Sequence, residues 1–218
     1  VNCILSHATS DKIIFVSNDI IINSYFLDEL IKTSNNIKNI GYARGVSNYV
    51  DTGLKTHNIN LANFTSKDPT DIAKEVFSKN KDNYFEEEYL CGDCFLVNRE
   101  LLDKIGYFDS INFKDYLGDL DFGLRAKAFD FKCIVAKGAF CYHHAGINFD
   151  YLSENERKIK LRRRNAYLME DWARFKIKYD LPITLIYPGI NKIDFSQIRN
   201  KVNKKLEINK KDYSKYLV

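Results

Sequence analysis

The sequence predicts an α/β protein: a mixed, mostly parallel sheet flanked by helices, with a C-terminal helical extension. Three observations predict it. Lys12–Val16 (KIIFV) is apolar without alternation, as in a strand covered on both faces, and it stops abruptly at Ser17-Asn18-Asp19. Further short apolar runs follow, separated by segments with helical spacing. Ser153 and Glu156 then form a capping box that opens a long helical pattern reaching about Tyr179.

Each element follows in order. Lys12–Val16 is expected to be a central strand, with its polar end at the sheet edge where ligands bind in open α/β folds. Ser24 is placed to cap a helix with Phe26, Leu27, Leu30 and Ile31 on one face. The Asn-rich stretch 34–39 ends it. Residues 41–67 are polar and Gly-containing and are expected to form short strands and loops. Asp71–Ser78 reads as a short helix capped by Thr70 or Asp71 after Pro69. Tyr89–Val97 is a strand interrupted by Gly92 and Asp93. Arg99–Ile105 is a helix closed by Gly106. Asp119–Phe129 is helical, and Lys132–Ala136 and Phe140–Tyr142 are two strands around Gly138. The organisation is a main region over 1–150, a long helix and Pro-containing segment over 151–190, and a Lys- and Asn-rich tail over 191–218.

Composition bounds the function. The 218 residues are 45% hydrophobic and 28% charged, enough for one cored domain. A net charge of +4 is too small to argue for nucleic-acid binding, though it suits a phosphate-bearing ligand. No apolar run reaches the ~18–20 residues of a membrane span, and VNCILSHATSDK lacks a signal-peptide pattern. Five widely spaced cysteines argue against a disulfide framework, so a reducing, cytoplasmic setting is expected. GxxxxGK[ST], GxGxxG and GxSxG do not occur, which speaks against P-loop, dinucleotide-binding and serine-hydrolase chemistry.

Several clusters can carry chemistry. Asp19 ends a strand, where a carboxylate can hold a hard cation; the plainer reading is an Asp opening a turn. Asp119 and Asp121 lie at the start of a helix, as a general base or as simple helix-starting acids. His143 and His144 follow a strand and project to different sides, so at most one is a ligand. Cys91 and Cys94 are half a zinc site that Cys133 and Cys141 could complete, or small buried hydrophobes. The basic run Lys158–Arg164 is a solvated face or a contact for lipid headgroup, nucleic acid or pyrophosphate.

In order, IIFVSNDIIINSYFLDEL, CGDCFLVNRELLDKIGYFD, GDLDFGLR and FCYHHAG resemble the family 2 glycosyltransferases of the GT-A fold over residues 2–150. The resemblance implies an inverting transfer of sugar from a nucleotide-diphosphate sugar, a UDP-sugar for preference, to a glycan, lipid-linked or protein hydroxyl. It implies Mn²⁺ or Mg²⁺ as cofactor, with Asp19 and His143 (or His144) as its ligands. It makes Asp119 the general base and Asp121 its supporting acid, with Asn18, Gly92, Asp93 and Arg125 contacting substrate. Ser17 and Gly118 depart from the acids usual at their motif positions. The family's nucleotide-base-binding strand–helix–strand is expected to fall upstream of this sequence. The implied location is the cytoplasm, at the inner face of a membrane if the protein touches one. The alternative expectation is a catalytically degenerate domain of the same fold that binds a glycan or protein, and a third is a zinc-supported interaction domain.

Overall fold

The computed structural model describes residues 1–50, 57–144 and 151–187. The tail over 191–218, and Ala145–Gly146 of the last motif, lie outside the described residues.

The chain opens with the short helix α1 (Asn2–His7) and strand β1 (Lys12–Val16). A turn over Ser17–Asp19 leads to the two-residue strand β2 (Ile20–Ile21). Helix α2 (Ser24–Asn36) follows, and its N-cap is Asn23 rather than Ser24: the Asn23 side chain accepts the Phe26 amide. The segment expected to form short strands and loops opens with a full eight-residue strand, β3 (Ile40–Ser47), in which every residue is buried. Helix α3 (Pro69–Asn80) is capped by Asp68, whose carboxylate accepts the amides of Thr70 and Asp71. Pro69 sits at the helix start, where its missing N–H costs nothing. Strand β4 (Tyr84–Glu87) precedes β5 (Cys94–Asn98), so the long strand expected over Tyr89–Val97 is confined to its second half. Helix α4 (Arg99–Ile105) ends at Gly106, whose φ of 74° is the conformation that favours glycine. Helix α5 (Gly118–Ala128) and strand β6 (Lys132–His143) come next. β6 is continuous through Gly138, not two strands. Helix α6 (Glu154–Lys178) opens with the expected capping box of Ser153 and Glu156.

The six strands form one mixed sheet in the order β1-β5-β3-β6-β2, with β4 also paired to β6. The expectation of a mostly parallel sheet is corrected. Only β3 and β6 pair in parallel; β1–β5, β3–β5, β2–β6 and β4–β6 are antiparallel. β1, β3 and β6 do run the same way, but β5 is inserted between β1 and β3. β1 is also an edge strand among the described residues, not a central one. Its apolar run arises because Ile13 and Phe15 face one core cluster and Ile14 and Val16 the other.

The pleat sends alternate residues to opposite faces. Tyr42, Phe95, Val97, Cys133 and Val135 pack with Leu101 and Leu102 of α4 and Phe122 and Ala126 of α5. Ala43, Leu96, Ile134 and Ala136 pack with Phe26 and Leu30 of α2. A third cluster lies beyond α5, where Leu120 and Leu124 meet Trp172, Phe175 and Tyr179 of the α6 end. β3 and β6 approach closely at Gly45, where an added Cβ would sit 2.1 Å from the Ala139 carbonyl. No helix among the described residues is long and apolar enough to cross a membrane.

Candidate functional site

The register of the sheet assembles the site. Pairing of β2 with β6 sets Ile20 opposite His143, and the His144 amide donates to the Asp19 carbonyl at 2.8 Å. Asp19 is thereby delivered to His143: its Oδ2 lies 3.4 Å from His143 Nε2. The Ser17 amide donates to the Asp93 carbonyl at 2.9 Å, joining the end of β1 to the turn before β5. Asp93 Oδ2 lies 3.4 Å from His143 Nδ1. The Nδ1 hydrogen-bond contact is the Tyr49 carbonyl at 3.0 Å. Asn48 holds the His143 backbone from both sides: its amide nitrogen donates to the His143 carbonyl and its Oδ1 accepts the His143 amide.

Beneath Asp93 lies Arg44, fully buried on β3, its guanidinium 2.9 Å from Asp93 Oδ1. Arg44 Nε also donates to the Gly45 carbonyl at 2.9 Å. A line of alternating charge runs Asp19–His143–Asp93–Arg44. Burial opposes the charges of His143, Asp93 and Arg44, but their neighbours prevail. Arg44 holds the Asp93 carboxyl below its ordinary value, with His143 adding to the effect. Burial pulls His143 down, yet Asp93, the Tyr49 carbonyl and Asp19 outweigh it and raise the imidazole to about 9. His57 is buried near Arg44, and neither ring nitrogen has a hydrogen-bond partner. Burial, with Arg44 helping, lowers it to about 3, so it stands neutral.

Asp119 enters from the first turn of α5. Its Oδ2 accepts the Gly92 amide at 3.3 Å and its Oδ1 the Leu120 amide at 2.8 Å. Burial pushes its carboxyl up to about 6 against these hydrogen bonds, and Asp93 adds to the rise. The residue before the helix, Leu117, is left-handed at φ 61°. That conformation is strained by ~1–2 kcal/mol for a residue with a Cβ, and it turns the chain so that α5 starts at the site wall.

A cleft of about 420 Å³ connects these groups. Gly92, Asp93, Asp119 and His143 line it together with Phe108, Phe113, Tyr116 and Leu168 and with the charged Asp109, Lys114 and Asp115. Titratable and aromatic side chains in one lining suit a polar ligand with a flat or apolar portion.

Of the residues chosen from sequence, Gly92, Asp93, Asp119 and His143 line this cleft, and Asp19 lies against His143 without lining it. Asn18 is exposed in the β1–β2 turn. Asp121 and Arg125 are elsewhere, both without exposed side-chain surface. Arg125 Nε donates to Asp121 Oδ2 at 2.8 Å, and its other nitrogens to the carbonyls of Ile105 and Tyr107. Lys178 Nζ and Tyr179 Oη both donate to Asp121 Oδ1 at 2.5 Å. This pair clamps α5 to the end of α4 and the end of α6, and neither residue lines the cleft. Reading the sequence missed Arg44, Asn48, Tyr49 and His57. The signal for the first was an arginine inside an apolar-bounded stretch, Ile40–Val46, that could have been read as a strand.

The cation implied by the family resemblance can be tested on this donor set. Asp19 Oδ2 and His143 Nε2, 3.4 Å apart, are spaced as two adjacent ligands each ~2.1 Å from one ion. Mg²⁺-like ions take one or two protein ligands and complete their shell with water and phosphate oxygens. Asp93 Oδ2 is buried with no hydrogen bond, an oxygen left over on the other side of the ring. The residues fit such a shared ion, whereas no group of three or more His, Cys, Asp or Glu among the described residues is arranged as an all-protein cage. The same finding removes support for the zinc reading: Cys91, Cys94, Cys133 and Cys141 are buried, free thiols within the core.

No protein-family model matches the chain, and no curated protein matches it.

Proposed function

We propose that this chain carries the catalytic site of a glycosyltransferase that moves a sugar from a nucleotide-diphosphate donor to an acceptor hydroxyl with inversion. One observation carries the reading: Gly92-Asp93, Asp119 and His143, distant in sequence, line one cleft, and Asp19 lies 3.4 Å from His143. They include at least one position from each of the four ordered motifs on which the resemblance to family 2 glycosyltransferases rests.

In this reading Asp19 and His143 Nε2 hold Mn²⁺ or Mg²⁺, which supplies positive charge to the diphosphate as it leaves. His143 must give up its Nε2 proton to do so; the Tyr49 carbonyl fixes the other nitrogen as the donor. Asp119 takes the proton of the attacking hydroxyl. The hydroxyl oxygen forms the new bond to the anomeric carbon, the bond from that carbon to the diphosphate oxygen breaks, and the nucleoside diphosphate departs. A carboxyl raised to about 6 is ionised at neutral pH and more basic than an ordinary aspartate, which favours this role. Arg44 holds Asp93 from below, and Gly92 admits the Asp119 carboxylate to its amide.

The test is calorimetric titration of UDP into the protein with and without Mn²⁺, repeated on Asp19→Ala. Metal-dependent binding that disappears in the variant is expected. A folded protein that binds no nucleoside diphosphate sinks the transferase reading.

A second reading, a non-catalytic domain of the same architecture, is favoured by the engagement of Asp121 and Arg125 in purely internal contacts. In that case the cleft would take a glycan or peptide without metal.

A further inference from the structure

We propose that the N-terminal part of α6 is a docking arm for an anionic phospholipid bilayer. Only Asp171, Trp172 and Phe175 of this helix are buried. None of the residues from Glu154 to Glu170 is, so about 25 Å of helix is left largely uncovered, meeting the rest of the molecule at Arg164 and Leu168.

The arm is strongly basic. α6 contains nine Lys and Arg against four Asp and Glu, an excess of five, where the whole chain has an excess of four. The tail over 191–218 carries a like excess, eight Lys and Arg against three Asp and Glu, so the remainder of the sequence is acidic and the basic bias lies in the C-terminal third. Six of the eight residues from Arg157 to Arg164 are cationic.

The pattern is not that of a helix built for water. Solvated helices balance charge through acid–base pairs three or four residues apart. Lys158 has such a partner in Glu154, at 2.6 Å. Arg162 and Arg163 have no acid at either spacing; Lys158 lies four before Arg162, and Lys160 three before Arg163. These like-charge neighbours disfavour the helix unless an external anion screens them. Apolar side chains share a side with these cations: Ile159, 50% exposed, lies between Arg162 and Arg163 on the helix surface, with Tyr167 and Met169 flanking them, while Leu161 is on the opposite side. Cations that attract headgroups, beside aliphatic groups that enter the interface, are the chemistry of a surface-lying helix. A nucleic acid would use the cations but offers those aliphatics no apolar phase.

The arm also leads to the cleft. Leu168 is part of its wall, and the Arg164 guanidinium lies 5.9 Å over the ring of Tyr116, another lining residue. This proposal does not rest on the transferase reading.

Co-sedimentation of the full protein with phosphatidylcholine vesicles, with and without phosphatidylglycerol, tests it. Binding is expected only to the anionic vesicles, weakening as salt is raised. Each neutralised cation should cost about fivefold, so Arg162→Gln/Arg163→Gln should lower partitioning roughly thirtyfold. Both side chains are exposed, and an unchanged melting curve would verify that the variant is folded. Lys204→Gln/Lys205→Gln serves as a matched change outside the helix. Absence of binding to anionic vesicles overturns the proposal, as does binding that the helix variant leaves intact. Preferential capture of a single-stranded RNA oligonucleotide over anionic vesicles would also overturn it, assigning the arm to nucleic acid.

Discussion

Asp119 illustrates how a reactive group costs stability. Its carboxyl is raised from the ordinary aspartate value to about 6, so the folded state holds its proton more tightly than the unfolded chain. The stability this confers is full below pH ~4 and is lost as pH rises through about 6. At pH 7 the ionised group is therefore a burden. Two pKa units are worth at most ~3 kcal/mol, and water reaching the half-buried side chain reduces that. Asp119→Asn should raise stability at pH 7 by ~1–2 kcal/mol in urea denaturation, while abolishing transfer if Asp119 is the base. His143 has the same sign over a different window. Raised to about 9, it stabilises fully below pH ~6.5 and ceases to as pH passes about 9. The stability difference between the protein and His143→Gln should thus shrink by about 2–3 kcal/mol between pH 6 and pH 10. At this scale the sequence was legible where a polar residue ended a strand, as with Asp19, Asp93 and His143. It misled at Asp121. On a helix two residues are ~200° apart, so with Asp119 facing the cleft Asp121 must face away. Arg125, four residues on, shares the Asp121 side and closes the pair.

Helices were easier to read than strands because their signals are local. The capping box of α6 and the glycine end of α4 are complete within a few residues. Where the expectation slipped, at Asn23 and Asp68, a neighbouring residue of the same chemistry took the cap. β3 was hidden because Gly41, Arg44, Gly45 and Ser47 break its apolar run, and the partner that makes Arg44 tolerable, Asp93, is far away in sequence. Two variants test the element boundaries. Ser153→Ala removes the capping hydroxyl and should cost ~1 kcal/mol, read as reduced helicity on heating. Gly123→Ala would bring a Cβ within 2.5 Å of Tyr89 Cβ and 2.6 Å of its Cα. Backbone cannot yield as a flexible side chain can, so a loss of about 3 kcal/mol is expected in denaturant titration.

Across the whole molecule, the α/β class was legible from alternating strand and helix patterns, but strand direction was not. The same apolar run serves an edge or a centre and a parallel or an antiparallel neighbour, depending on what the rest of the chain supplies. The attachment of α6 likewise depends on Asp121 receiving Arg125, Lys178 and Tyr179 from two helices. Asp121→Ala strands these buried groups and should destabilise the protein by ~3–5 kcal/mol, with the largest loss of protection from amide exchange over 171–181. β6 has a consequence of another kind. It pairs with β2, β3 and β4, which all precede it, and β1 waits similarly for β5. During synthesis at ~5–20 residues per second, β2 is exposed for roughly 6–25 s before its partner is made. Until then the nascent chain carries strands with no ladder to join, so slowing translation between β4 and β6 should increase both chaperone demand and aggregation on the ribosome.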